Sequence, residues 1–128
     1  MVHSGREAEI RERFADITGP DPGAAELALL ARLIRSFLAK TPPAVDRLGE
    51  LLRGGDPAEV REQAHSLKGS ASNLGAGPLA AIFADVEQLA REGDRADPEL
   101  VRDRVTAELA LVTGVLELLA VEFDRRSQ

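Results

Sequence analysis

His65 is the residue whose type and surroundings most clearly suggest chemistry in this chain. Lys68 follows it by three positions and Gly69 by four, which puts all three on one face of a helix at about 100° per residue. A neutral imidazole can attack phosphorus through a ring nitrogen, and an ammonium group can neutralise phosphoryl oxygens. The spacing therefore predicts an accessible histidine nucleophile with a cation one turn away.

The apolar residues around His65 fall on the opposite face of the same helix, which predicts that the imidazole points to water. These positions are Val60, Ala64, Leu67, Ala71 and Leu74. A glycine inside a helix costs about 1 kcal/mol relative to alanine, so Gly69 needs an explanation. Access for a partner is one explanation, and close helix packing or local fraying is the other. The alternative to a chemical role is that His65 and Lys68 are ordinary solvated surface residues.

Composition limits the classes of function. The length of 128 residues suits one domain covering 1–128, with 44% hydrophobic residues and a net charge of −6. The acidic balance disfavours a general nucleic-acid surface, and no stretch approaches the ~20 apolar residues that span a bilayer. The absence of cysteine excludes disulfides, cysteine zinc sites and thiol catalysis. We expect a cytoplasmic protein without nucleic-acid or membrane partners.

Aspartate, proline and glycine mark the predicted ends of helices along the chain. Asp21-Pro22, Asp56-Pro57 and Asp97-Pro98 each have the form of an N-cap followed by proline at the first helical position. Gly54-Gly55 and Gly93 are typical helix stops. The chain is thereby divided into segments with apolar residues at helical spacing.

These segments predict an all-α fold. Its helices are expected at 6–17, 22–53, 57–73, 78–92 and 98–124. Short turns favour antiparallel neighbours, so the last four helices predict an up-down-up-down four-helix bundle, with the short N-terminal helix packed across one end. Pro42 and Pro43 are expected to bend the second helix rather than end it.

Residues 65–75 resemble the motif of the histidine-containing phosphotransfer (HPt) domain family, His-x-x-Lys-Gly-Ser followed by small residues and Leu-Gly. The likeness extends to a Gly-Gly-Asp turn at 54–56, a Gly-Asp turn at 93–94 and a long final helix, and it covers nearly the whole chain. The resemblance implies that His65 is phosphorylated on Nε2. It also implies that Lys68 stabilises the phosphoryl group and that Gly69 leaves room for the partner domain.

The chain departs from the family pattern on the neighbouring helix. Several members have a glutamine 22 positions after the histidine, where it bonds near the imidazole, whereas this chain has Glu87 there and Gln88 next to it. A carboxylate would repel a phosphoryl group unless it were turned away. Two interpretations stay open: Glu87 supports a protonated imidazole, or it belongs to a solvated face with Asp85, Glu92 and Asp94.

The resemblance implies a phosphoryl carrier in a two-component phosphorelay. His65 would accept the phosphoryl group from a receiver-domain aspartate and pass it to another receiver, with Arg61 and Ser72 as accessory donors. No nucleotide-binding motif is present, so we do not expect an enzyme. The expected partners are response-regulator receiver domains, a hybrid histidine kinase, or both. Mg²⁺ is expected on the receiver, no cofactor on this chain, and the carrier is expected to be a monomer.

Other interpretations compete with the carrier. The phosphoacceptor domain of a histidine kinase usually has an acidic residue directly after the histidine, where this chain has Ser66. A non-catalytic helical adaptor would bind signalling partners without any transfer. Glu62 and His65 could supply two metal ligands, but a site needs three or four.

Overall fold

Five helices make up the protein. The structure is a computed structural model that describes residues 2–128, with side chains from Gly5 onward. The helices are α1 (Val2–Thr18), α2 (Ala24–Gly54), α3 (Pro57–Asn73), α4 (Gly77–Arg91) and α5 (Pro98–Arg126). Residues 2–128 contain no strand, so the expected all-α class is confirmed.

Helices α2 to α5 form a four-helix bundle. Each of them packs against the next, and α5 packs against α2 to close the bundle. The connections 55–56, 74–76 and 92–97 are short, so successive helices run in opposite directions. The predicted four-helix bundle with an added N-terminal helix is the observed fold.

Aspartate side chains cap the starts of α3 and α5, as predicted. The Asp56 carboxylate accepts a bond from the Glu59 N–H at 3.1 Å, with Pro57 at the first position of α3. The Asp97 carboxylate does the same for the N–H groups at the start of α5. These contacts satisfy backbone donors that have no partner within the helix. Helix α3 therefore has the predicted bounds of 57–73.

The predicted start of α2 at residue 22 is wrong. The helix begins at Ala24, and its N-cap is Gly23 rather than Asp21. The Gly23 N–H donates to Glu26 Oε1 at 3.0 Å. Glu26 is three positions after the N-cap, so its side chain caps the first turn of the helix. Pro42 and Pro43 lie inside α2 without ending it, and the bend expected there stays a prediction.

Helix α1 covers the end of the bundle formed by the α3–α4 turn and also lies against α5. Gly75 has a φ of +78°, and a Cβ built on it would lie 2.7 Å from Arg13 Cβ. On α5, the ring of Phe123 meets that of Phe14 edge to face, with 5.9 Å between centroids. This end of the bundle is therefore closely packed.

Candidate functional site

Helix α3 presents His65 to solvent. The imidazole side chain is 65% exposed, because the opposite face of α3 is buried in the core. The buried positions are Val60, Ala64, Leu67 and Ala71, with Leu74 just after the helix. The helical spacing in the sequence thus gives the correct orientation of the histidine.

Glu87 on α4 is the main partner of His65. Its side chain is only 3% exposed, and Oε2 lies 2.8 Å from His65 Nδ1. The same oxygen accepts a bond from Arg91 Nη2 at 2.8 Å, while Oε1 lies 2.6 Å from Lys68 Nζ. One buried carboxylate therefore connects the histidine with two cations from α3 and α4, which compensate the cost of burying its charge.

The ionised form of Glu87 is favoured. The hydrogen bond from Lys68 is the main cause that lowers the pKa of the Glu87 carboxyl, against the opposing effect of burial, and the bond with His65 lowers it further. An ionised carboxylate can only accept hydrogen bonds. We therefore assign the hydrogen of the neutral imidazole to Nδ1, which donates to Glu87.

This assignment decides which nitrogen can react. With Nδ1 carrying the hydrogen, the lone pair of the neutral ring is on Nε2. Nδ1 is directed at the buried carboxylate, so Nε2 is on the ring edge away from Glu87, and the side chain as a whole is largely exposed. The arrangement presents a nucleophilic nitrogen at the protein surface.

Lys68 and Gly69 lie beside the imidazole on the same helix. Lys68 is partly buried, with 32% of its side chain exposed. A Cβ built on Gly69 would have no neighbouring atom within 4 Å, and the residue is exposed. Close packing within the chain therefore does not explain this glycine, and the space above it is open.

Arg91 is a residue that the sequence interpretation missed. It lies one turn after Glu87 on α4 and pairs with it at i,i+4. This spacing is visible in the sequence and would have predicted the ion pair. An open groove runs beside His65 between the two helices. It is lined by Arg61, Glu62, His65, Ser66, Glu87 and Arg91. The groove is therefore lined by two guanidinium groups, that of Arg61 from α3 and that of Arg91 from α4.

The other predicted residues have mixed outcomes. The interpretation of Glu87 as a solvated residue is wrong, because three donors on α3 and α4 hold it in the bundle, whereas Asp85, Glu92 and Asp94 are exposed as expected. Gln88 is exposed and donates to Glu92 at 3.3 Å, so it is not the residue that contacts His65.

The two accessory donors lie on the exposed side of α3. Arg61 lines the groove one turn before His65, and Ser72 is exposed about two turns after it. The structure thus places Arg61 closer to the imidazole than Ser72 along the helix.

Neither a metal-binding cluster nor a membrane-spanning helix is found among the described residues. Among the described side chains, no group of three or more histidine, cysteine, aspartate or glutamate residues is arranged to hold a metal ion. In the part of the chain that the structure covers, none of the helices has the length and apolar character to cross a membrane.

Comparison with protein families gives one match. The model of the family described as "Hpt domain" matches residues 32–118, a range that contains His65, Glu87 and most of the four-helix bundle. Comparisons with curated proteins and with solved structures give no match. The match covers more than half of the chain and implies phosphotransfer in two-component signalling. The chain therefore belongs to the Hpt domain family.

Proposed function

We propose that this protein is a phosphorelay carrier that receives a phosphoryl group on His65 Nε2 from a receiver-domain aspartate and passes it to a second receiver. The observation that carries the proposal is the bond between His65 Nδ1 and the buried Glu87 carboxylate. That bond leaves the lone pair on the outer nitrogen of an exposed ring. Nucleophilic attack needs this combination of tautomer and access.

The proposed transfer forms one bond and breaks one bond at phosphorus. The Nε2 lone pair attacks phosphorus, an N–P bond forms, and the acyl-phosphate P–O bond breaks with its electron pair leaving on the aspartate carboxylate. The hydrogen stays on Nδ1, so the phosphorylated ring carries a positive charge that faces Glu87. A second aspartate attacks phosphorus in the reverse direction, and Nε2 recovers its lone pair as the N–P bond breaks.

Lys68 and Arg61 provide positive charge around the moving group. Phosphoryl transfer depends mainly on positioning and charge neutralisation, and Lys68 Nζ shares a carboxylate with the imidazole. Arg61 lies along the same groove. Mg²⁺ would belong to the receiver domain and supply further charge neutralisation there.

The partner would approach over Gly69. No atom of the chain lies within 4 Å of a Cβ built at this position, so a receiver domain can bring its active site close to the helix. Transient signalling contacts are often small, and an exposed strip of one helix suits them. We propose receiver domains, free or within a hybrid histidine kinase, as the partners of a monomeric carrier.

Labelling by a phosphorylated receiver domain tests the proposal. With Mg²⁺ present, the receiver is expected to label the wild-type protein on one histidine, with an acid-labile bond, and to give no label on His65→Gln. Circular dichroism checks that the variant keeps its helices. Label that persists on His65→Gln, or wild-type protein that binds the receiver without acquiring label, contradicts the proposal. The second of these outcomes is the one expected of an adaptor.

Incubation with ATP alone separates a carrier from a kinase domain. The carrier is expected to acquire no phosphohistidine, because its sequence contains no nucleotide-binding motif. Phosphohistidine formed from ATP without another protein contradicts the carrier and favours a kinase domain.

A further inference from the structure

Lys68 is already bound before any phosphoryl group arrives. Its Nζ lies 2.6 Å from Glu87 Oε1, and the other oxygen of that carboxylate contacts His65 Nδ1. The ammonium and the imidazole are therefore separated by a single carboxylate group. A glutamine at position 87 would offer a neutral amide in place of this charge.

The new phosphoryl group would compete for the same ammonium. A phosphoryl group carries about −1.5 to −2 charges at neutral pH, and it would be attached to Nε2 of a largely exposed ring. Glu87 carries one charge, but it is almost completely buried, where attraction is screened less by water. The two anions therefore compete for Lys68 on comparable terms.

We propose that Glu87 is a positioning residue that holds Lys68 in the resting state, so that Lys68 exchanges the Glu87 carboxylate for the phosphoryl group in each transfer. This inference rests on the proposed function of His65. The negative charge of Glu87 holds the Lys68 ammonium, and a neutral glutamine at this position would lack that effect. Part of the stabilisation that Lys68 gives to the phosphoryl group is offset by the ion pair that it leaves.

Arg91 makes this exchange feasible. Its Nη2 binds Oε2 of Glu87, and Lys68 binds Oε1. When Lys68 turns to the phosphoryl group, Glu87 keeps the Arg91 guanidinium and gains the positive charge of the phosphorylated ring. The buried carboxylate is therefore never left without a cation. The long lysine side chain has the rotatable bonds needed for the change.

A double-mutant cycle on the full chain tests the exchange. Phosphoramidate phosphorylates imidazole nitrogens without a protein donor: Nε2 attacks phosphorus, the P–N bond of the reagent breaks, and ammonia leaves. The rate constant for His65 labelling is measured for wild type, Lys68→Met, Glu87→Gln and the double variant. Loss of Lys68 is expected to slow labelling about five- to tenfold more in the Glu87→Gln background than in the wild type, within the range of couplings between contacting residues.

Controls make each outcome decisive. Asp85→Asn removes one charge from an exposed position of α4, the helix that carries Glu87. Its effect on the rate of His65 labelling is expected to show no coupling with that of Lys68→Met. Thermal unfolding of all variants checks the fold. Additive effects of Lys68→Met and Glu87→Gln, or coupling of the opposite sign, overturn the exchange. Wild-type protein that acquires no label on His65 would instead contradict the proposed function, so the two failures are distinguishable.

Discussion

Glu87 and Glu108 are both buried glutamates, yet their surroundings differ in kind. Glu108 on α5 accepts two bonds from Arg6 of α1, at 2.9 and 2.7 Å. This bidentate geometry fixes one partner in one orientation. Glu87 accepts single bonds from three groups, and one of them is an exposed imidazole.

The difference shows how a structural carboxylate is distinguished from a candidate functional one. Burial and ion pairing are common to both, so neither property marks a site. The region around Glu108 is closed by α1, which also packs on the α3–α4 turn. The region around Glu87 ends at an exposed imidazole ring and an open groove. Substitutions in the two regions are expected to separate a closed region from an open one.

The largest expected effect is on labelling of His65. Glu87→Ala removes the acceptor that holds the hydrogen on Nδ1, so both tautomers of the neutral ring become populated. We expect labelling by phosphoramidate to slow about 10–100-fold, because the ring also loses the carboxylate that faces its developing positive charge; losses of this size are typical when the partner of a metal-bound histidine is removed. Nitrogen-15 NMR of the imidazole measures the tautomer directly.

Glu108→Ala is the matched control for that prediction. It removes an ion pair between α1 and α5 and is expected to leave labelling within about twofold, since distant sites act independently. Equal slowing by the two substitutions, or an unchanged tautomer in Glu87→Ala, would remove the functional distinction between the glutamates.

The next effect concerns partner access above position 69. Gly69→Gln adds a neutral side chain to the open space and is expected to slow transfer from a phosphorylated receiver domain about tenfold, a loss of about 1.4 kcal/mol. Labelling by phosphoramidate is expected to change little, because the small reagent needs less space. Slowing by the same factor with both donors would show that the substitution disturbs His65 itself.

Two glycines are expected to respond oppositely to alanine. Gly75→Ala is expected to destabilise the fold by about 1–2 kcal/mol, because φ is positive and the new Cβ would meet Arg13 and the Glu9 carbonyl. Gly69→Ala is expected to stabilise it by about 0.5–1 kcal/mol, since helix propensity improves without a clash. Urea unfolding measures both changes, and a stabilising Gly75→Ala would contradict the close packing of α1.

The smallest effect is expected in the acid dependence of stability. The pKa values of Glu87 and Glu122 are lowered, mainly by hydrogen bonds from Lys68 and Arg11 respectively. Each contributes stability that is fully present above its ordinary pKa of 4.5 and is lost as pH falls through the lowered value.

Unfolding measured between about pH 5 and pH 3 tests this dependence. The wild-type protein is expected to lose stability more steeply over this interval than Glu87→Gln or Glu122→Gln, since each variant lacks one titrating carboxyl. Only Glu87→Gln is expected to change the NMR signals of His65. Parallel curves for wild type and both variants would contradict the stabilising role of these carboxylates.

Local signals in the sequence predicted most of the fold. Aspartate and proline at 56–57 act through backbone groups within one helical turn, so the start of α3 follows from the sequence alone. At residues 21–23 the same dipeptide is misleading. Glu26 bonds the Gly23 N–H, and this local contact outweighs the preference of Pro22 for the first helical position.

The surroundings of Glu87 could not be predicted in the same way. Along the sequence Glu87 stands near Asp85 and Gln88, which are exposed on α4, and its own burial depends on how α4 packs against α3. Its bonds to His65 and Lys68 join residues 22 and 19 positions apart. Arg91, in contrast, is one helical turn away on the same helix, and its pairing with Glu87 was predictable from the i,i+4 rule.

The exposure of His65 has a consequence for the timing of a relay. If His65 carries a phosphoryl group as proposed, a side chain that is 65% exposed would leave that group open to water as well as to a partner domain, and no lid among the described residues covers it. In the proposed carrier, the lifetime of the phosphorylated state would therefore depend on the rate of hydrolysis relative to the rate of diffusional encounter with the partner. A higher concentration of the receiving partner should raise the fraction of signal that is passed on.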